Sequence, residues 1–556
     1  MPFKGLGVAA MDLRRLAAGL LPLVALAYGP SARAEWLEVK SAHFTLTGDL
    51  DEATLRRRAE RLERFDATIR QIIPKSIESN LPVMVTNSVD EVRAIGHRSS
   101  GTLAFFAPSP YGVFAVTPES VNNGYGVSAE MVMFHEYVHH MLMGSLDDPM
   151  PRWMNEGMAE LFMNTRLEND GAVTIGLGNS ARGYSLNRLG RWTVERMFES
   201  DRLPPSEGDV DQLYAKGWLF LHYCLFSGKR SGQFAAFAEL LKKGVPQIDA
   251  ARQAFGDLDK LEAELEFYRG RNALPALRIA ADKLHELAAV AVRRLSPGEA
   301  EMMPMRRRSM GGVTAAEALA LAARARPVAA KFPDSAFAQR AMSEMEYDAK
   351  NYDAADSAID LALKADSQFV DAMAFKGLLV GARALREKKP ELWREARSWI
   401  VRANRAQPDN PFPLALYFDS FTAAGQAPPQ AALNGLLRAI QLQPSYLGLR
   451  TKAAVQLLNT DATKDARFVL APAALAPHSK ADNPLAKLLA SIDANEDKTA
   501  MASKITALKL GDANLFAQPE PPKPGKDGEA KKDYRAVHSQ MLVDIAEPAT
   551  PNKRVH

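Results

Sequence analysis

The stretch His135-Glu136-Tyr137-Val138-His139 constrains this chain more than any other, because it has a use only on a helix that meets a second helix. On a helix, His135 and His139 stand one turn apart and project from the same face. Two imidazoles so placed can take two corners of a zinc tetrahedron, while Glu136 stands beside the metal, within reach of a proton on water held there. A third protein ligand has to arrive from elsewhere. Glu156 is the leading candidate, in Asn155-Glu156-Gly157-Met158-Ala159-Glu160, which begins sixteen residues after His139. Three protein ligands and one open position describe a catalytic site and not a structural one.

Local signals supply both helices. Ser128–Gly144 has Ser128 as N-cap and Glu130 in the first turn; Met131, Phe134, Val138 and Leu142 recur at helical spacing, and Gly144 can end it. Pro151–Asn164 forms the second, with Glu156 and Glu160 on one face at i,i+4.

The run Pro151-Arg152-Trp153-Met154-Asn155-Glu156-Gly157-Met158-Ala159-Glu160, placed after that first motif, resembles the gluzincin metallopeptidases, whose active site is helical and thermolysin-like. Many bacterial members carry a W-x-N-E-G-x-A-E second motif. The resemblance implies one zinc per chain, held by His135, His139 and Glu156, with Glu136 as general base. It implies that Glu160 orients a histidine ligand by hydrogen bonding, and that the reaction is peptide-bond hydrolysis by a metal-activated water. It spans approximately residues 35–270, and its specificity lies in the two motifs. The metzincin pattern fails, because Leu142 and Ser145 stand where that family needs Gly and His. Asp148 is a weaker rival third ligand, loosely similar to aspartate-zincins but close after His139. Related peptidases often place a tyrosine or histidine on a later helix to bind the oxyanion. Tyr214, on a helix opened by Leu213-Tyr214-Ala215-Lys216-Gly217-Trp218, is the choice, with His222 and Tyr223 as rivals.

At 556 residues the chain exceeds one core, and three or four domains are expected. The net charge of +3 is near balance and no basic cluster is interleaved with aromatics, so nothing argues for a nucleic-acid partner and none is expected. Cys224 is the single cysteine, so no intrachain disulfide forms; its apolar surroundings, Trp218–Phe226, suit a buried inert thiol. Residues 1–34 read as a signal peptide: Lys4, Arg14 and Arg15, an apolar core at Leu16–Tyr28, and Ala32-Arg33-Ala34 before Glu35. The core is too short to span a membrane, and Met11 is an alternative start. Export, into a bacterial periplasm, is the expected location, with no stable membrane span after cleavage.

Trp36–Gly48 alternates as a strand or hairpin; Glu52–Ile73 is an amphipathic helix and Leu81–Thr86 a short buried strand. Gly101–Phe106 and Tyr111–Thr117, joined through Pro108-Ser109-Pro110, form a hairpin before the histidine helix, a candidate edge for extended substrate. A helical connector is expected at 271–314. From about Ala315, alanines recur at 355, 396, 432 and 466, each with Ile359, Ile400, Leu436 or Leu470 four later and Ala362, Ala403, Ala439 or Ala473 seven later. The intervals of 41, 36 and 34 residues, with Pro408 and Pro444 five beyond their alanines, resemble degenerate tetratricopeptide repeats with insertions near Arg386–Pro390. The repeats occupy 315–510; the charged, proline-rich tail at 511–556 is mostly disordered.

The fold class expected is therefore an α+β zincin-like N-terminal domain at 35–270 followed by an all-α tetratricopeptide-like solenoid. The function expected is an exported zinc peptidase acting on a peptide or protein substrate, with a protein partner on the repeats. The alternative is a helical-repeat scaffold with a silent peptidase-like domain, and a third reading keeps the zinc for a non-peptide amide.

Overall fold

A computed structural model describes residues 35–517 apart from 74–79, 99–101, 110, 122–126, 145–149, 189–191, 201–206, 285–288, 475–483 and 509–513. The expected leader at 1–34, most of the 511–556 tail and Asp148 lie outside the described residues. Glu35 onward belongs to one compact unit.

Strands β1 (Trp36–Lys40) and β2 (Phe44–Asp49) form the expected hairpin, with Trp36 opposite Asp49 and alternate residues such as Val39, Phe44 and Leu46 buried. Helix α1 (Glu52–Arg70) starts on Asp51, whose side chain accepts the Thr54 N–H. Next come β3 (Leu81–Thr86), α2 (Val89–Gly96), β4 (Phe105–Ser109) and β5 (Gly112–Pro118). The β4 strand runs three residues past the expected Phe106 and includes Pro108. Proline is tolerated there because β4 is an edge strand, where its missing N–H need not break a ladder. The link to β5 is held by Ser109 Oγ, which accepts from Tyr111 N and donates to Gly112 O. Gly112, at φ +131°, supplies a backbone conformation other residues avoid.

Helices α3 (Ala129–Gly144) and α4 (Arg152–Met163) fall where expected, and Ser128 Oγ caps α3 by accepting from Met131 N. After β6 (Arg166–Leu167) and β7 (Val173–Ile175) come α5 (Ser180–Arg188), α6 (Val194–Phe198), α7 (Glu207–Phe226), α8 (Ser231–Lys242), α9 (Gln247–Phe255) and α10 (Leu258–Arg269). The α7 helix begins six residues before the expected Leu213.

Residues 271–314 are not simply a helical connector. They hold β8 (Leu277–Ile279), a 3-10 turn at Ala281–Lys283, β9 (Ala291–Arg294) and α11 (Pro297–Met310). The β9 strand closes one edge of a six-stranded sheet ordered β4-β5-β3-β2-β1-β9, and β8 completes a three-stranded sheet β6-β7-β8. These strands are only three and four residues long; β9 is held by backbone pairing to β1 and by Arg293 on Glu38 at 2.8 Å, which periodicity does not announce.

The rest is helical: α12 (Ala315–Lys331), α13 (Ala336–Asp348), α14 (Tyr352–Ala365), α15 (Val370–Glu387), α16 (Leu392–Ala406), α17 (Pro411–Ala423), α18 (Gln430–Leu442), α19 (Leu447–Asn459), α20 (Thr463–Ala474), α21 (Pro484–Asp493) and α22 (Lys498–Ala507). From α13 to α20 successive helices pack as pairs. The recurring alanines 355, 396, 432 and 466 all lie on second helices, α14, α16, α18 and α20, and are fully buried. Each lets the partner helix approach closely; Gly377 of α15 lies so near Ile400 of α16 that a Cβ would meet it at 2.6 Å. The 41-residue interval arises from the 18-residue α15 and the turn after it, where Lys388 adopts a left-handed conformation. Part of the tail region is ordered too: Phe516 is buried edge-on against Trp393, and Leu515 N donates to Asp419 Oδ2.

Candidate metal centre

Helices α3, α4 and α7 build the site. Gly157 on α4 faces Gly217 on α7 so closely that a Cβ on Gly157 would meet the Gly217 carbonyl carbon at 2.7 Å. This crossing sets Glu156 beside Tyr214, and α4 packs also against α3.

His135, His139 and Glu156 come together as a buried group able to hold a metal ion. His135 Nε2 and His139 Nε2 are 3.1 Å apart; Glu156 Oε2 lies 3.3 Å from the latter and 3.6 Å from the former. A tetrahedral zinc with bonds of roughly 2.0–2.1 Å has ligand atoms about 3.3–3.4 Å apart, so the triangle matches one face of such a tetrahedron. The donor chemistry also fits. His139 Nδ1 is 2.6 Å from Asn155 Oδ1, an acceptor that keeps the proton on Nδ1 and leaves the Nε2 lone pair for a cation. Burial would lower the His139 pKa, but the Glu156 carboxylate outweighs it and holds the ring at about 9: two groups in need of a shared positive charge.

Glu160 lies behind the triangle, its Oε1 3.5 Å from His135 Nδ1, so the histidine it faces is His135. Arg182 Nη2 and Asn179 Nδ2 each donate to it at 2.8 Å. Burial alone would raise the Glu160 pKa; Arg182 reverses that and keeps it ionised. Arg182 in turn binds Asp211 at 2.6 Å and lies over the Tyr214 ring at 5.1 Å.

Glu136 is buried, and its Oε1 has no hydrogen-bond partner among the described residues. Burial pushes its carboxyl up to about 7, with Glu156 adding to the rise and His135, His139 and Arg98 opposing it. Tyr214 is buried beside Glu156; burial first, then that carboxylate, raise its pKa and keep the phenol protonated. Its rivals are engaged elsewhere: His222 with Tyr268 Oη at 2.9 Å and Gly176 O at 2.8 Å, Tyr223 with Glu264 at 2.8 Å. Cys224 is buried, which raises its thiol pKa far beyond the reactive range.

Asn155, Asn179, Arg182, Asp211 and Arg98 were not singled out in the sequence. Asn155 stands inside the second motif and was legible from it; the others carry no local signal. A second cluster, His43, Glu63 and Asp66, has metal-like spacing but its own protein partners. Arg70 Nε and Tyr137 Oη donate to Asp66, and the His43 N–H and ring donate to Glu63. Because Tyr137 lies between the two histidine ligand candidates on α3, this network fixes the rotation of that helix. No family model matches the chain, and no curated protein matches it.

Proposed function

We propose that the chain is an exported, zinc-dependent peptidase of gluzincin type, its catalytic site in a zincin-like α+β domain and its helix pairs a tetratricopeptide-like solenoid. The observation that carries this reading is the triangle of His135, His139 and Glu156, shaped as one face of a tetrahedron, next to the buried Glu136 carboxylate, whose Oε1 has no hydrogen-bond partner among the described residues. These three residues would hold one zinc per chain, and zinc bound by them supplies Lewis acidity toward a carbonyl and toward water. Glu136 takes a proton from the attacking water and delivers it to the leaving amine, a general base that then serves as the acid. Asn155 keeps His139 in the ligating tautomer. Glu160, charged through Arg182, steadies His135 from behind. The protonated Tyr214 hydroxyl donates to the developing oxyanion.

The substrate class is a peptide or unfolded protein segment, with the solenoid a further surface for a protein partner. The test is cleavage of a denatured-protein panel by the purified full chain and by Glu136→Gln, with metal content measured for both. Cleavage lost in the variant while zinc stays supports the reading. A wild-type chain that binds zinc and cleaves nothing across a wide peptide library points to a scaffold with a silent site.

A further inference from the structure

The edge strand β4 is held at both ends. At its start, the Arg98 guanidinium sits 4.5 Å over the Phe105 ring and its charge reaches Glu136. Along its length Phe106 packs toward α3, its ring 5.8 Å from His140, while Phe105 and Ala107 pack with Val92 and Ile95 of α2. At its far end the turn places Tyr111 among the helix pairs. The Tyr111 ring is 4.4 Å from that of Phe412 on α17, and the Arg340 guanidinium of α13 lies 5.9 Å over it. Arg340 is itself fixed, buried against Phe375 of α15 at 4.0 Å and ion-paired with Glu344 at 2.8 Å. A five-residue strand covers about 17 Å, so β4 is a strut between the surroundings of Glu136 and the helical array.

We infer that the helical array is part of the peptidase machinery: by gripping Tyr111 it fixes the β4 edge along which extended substrate would lie, making Tyr111 a positioning residue. The role in substrate handling depends on the proposed peptidase function; the grip itself does not. Gripping a hairpin tip costs the array part of its own surface. A second part is also taken internally, because Phe516 fills the space over Gly381 of α15 and beside Trp393. The first helices of successive pairs thus serve the chain itself before any partner. Truncating either ring of the Tyr111–Phe412 pair should free the turn without removing any contact of α3, which β4 meets through Phe106.

The experiment uses the full chain supplied with zinc, as wild type, Tyr111→Ala, Phe412→Ala and Tyr111→Phe. Hydrogen exchange of the β4 and β5 amides is measured, with zinc content and, on a long unfolded substrate, kcat and KM. Both alanine variants should exchange at least tenfold faster across Phe105–Ser109, with α3 protection and one zinc retained, and KM should rise about tenfold with kcat little changed. Tyr111→Phe, which keeps the ring, should behave as wild type. Unchanged β4 exchange in both alanine variants would overturn the inference. So would a uniform loss of protection that includes α3 and the zinc, because Tyr111 would then serve general stability. If wild type cleaves nothing, the peptidase reading falls, while the exchange result still decides whether the array grips the hairpin.

Discussion

Among single residues, those that would hold the metal differ from the one that would move protons. Glu136 lies beside the ligand triangle and not in it, so Glu136→Gln should keep full zinc and lose roughly 10²–10⁴-fold in kcat. A loss below tenfold, with zinc intact, would remove Glu136 from the base role. Tyr214 is a donor that acts as charge develops, so Tyr214→Phe should lower kcat and kcat/KM together by about a hundredfold and leave zinc content unchanged. Little kinetic change with a lower melting temperature would instead mark it as a packing residue. The candidate ligands were legible in the sequence because two motifs announce them. Arg182 and Asp211 were not, because a charge pair 29 residues apart leaves no periodic trace until α5 and α7 bring it together.

Elements set how firmly that site is held. The α4–α7 crossing has room for hydrogen only at Gly157, so Gly157→Ala must part the helices that position Glu156 and Tyr214. The expected cost is about 1–3 kcal/mol, read as a lower melting temperature, together with weaker zinc affinity in a chelator competition. Unaltered zinc affinity would show that the crossing does not position Glu156. The His43 network gives a pH signature. The hydrogen bond to Glu63 raises the His43 pKa above its ordinary 6.5, against an opposing effect of burial and with support from Asp66. A raised histidine contributes stability that is complete below about pH 6.5 and fades as pH rises through the folded value. The melting-temperature gap between wild type and His43→Gln should therefore shrink from pH 6 to pH 9; a constant gap would contradict the pairing. Helices α3 and α4 could be read from capping and apolar spacing, and β3 from its apolar run. Strands β8 and β9 could not, because what holds them is backbone pairing to strands more than 100 and 250 residues earlier in the chain.

For the whole molecule, the segment just before the Ala-rich helices that start near Ala315 is tied to the N-terminal sheet. Arg307 of α11 is buried under the sheet, donating to the Val85 and Thr47 carbonyls and lying 4.3 Å over Trp36. A chain ending at residue 300 would lose it, leaving those carbonyls without that donor. It should melt below one ending at 312, and equal melting would deny α11 that role. The alanine repeat made the helix pairs legible, yet gave no sign that Tyr111 and Phe516 insert among them, since a docking residue has no period. Whether the chain holds the metal as described is decided by elemental analysis of the purified full chain and three variants. One zinc per chain is expected in wild type and Glu136→Gln, and none retained through dialysis in His139→Ala or Glu156→Ala; full zinc in either ligand variant would overturn the ligand set.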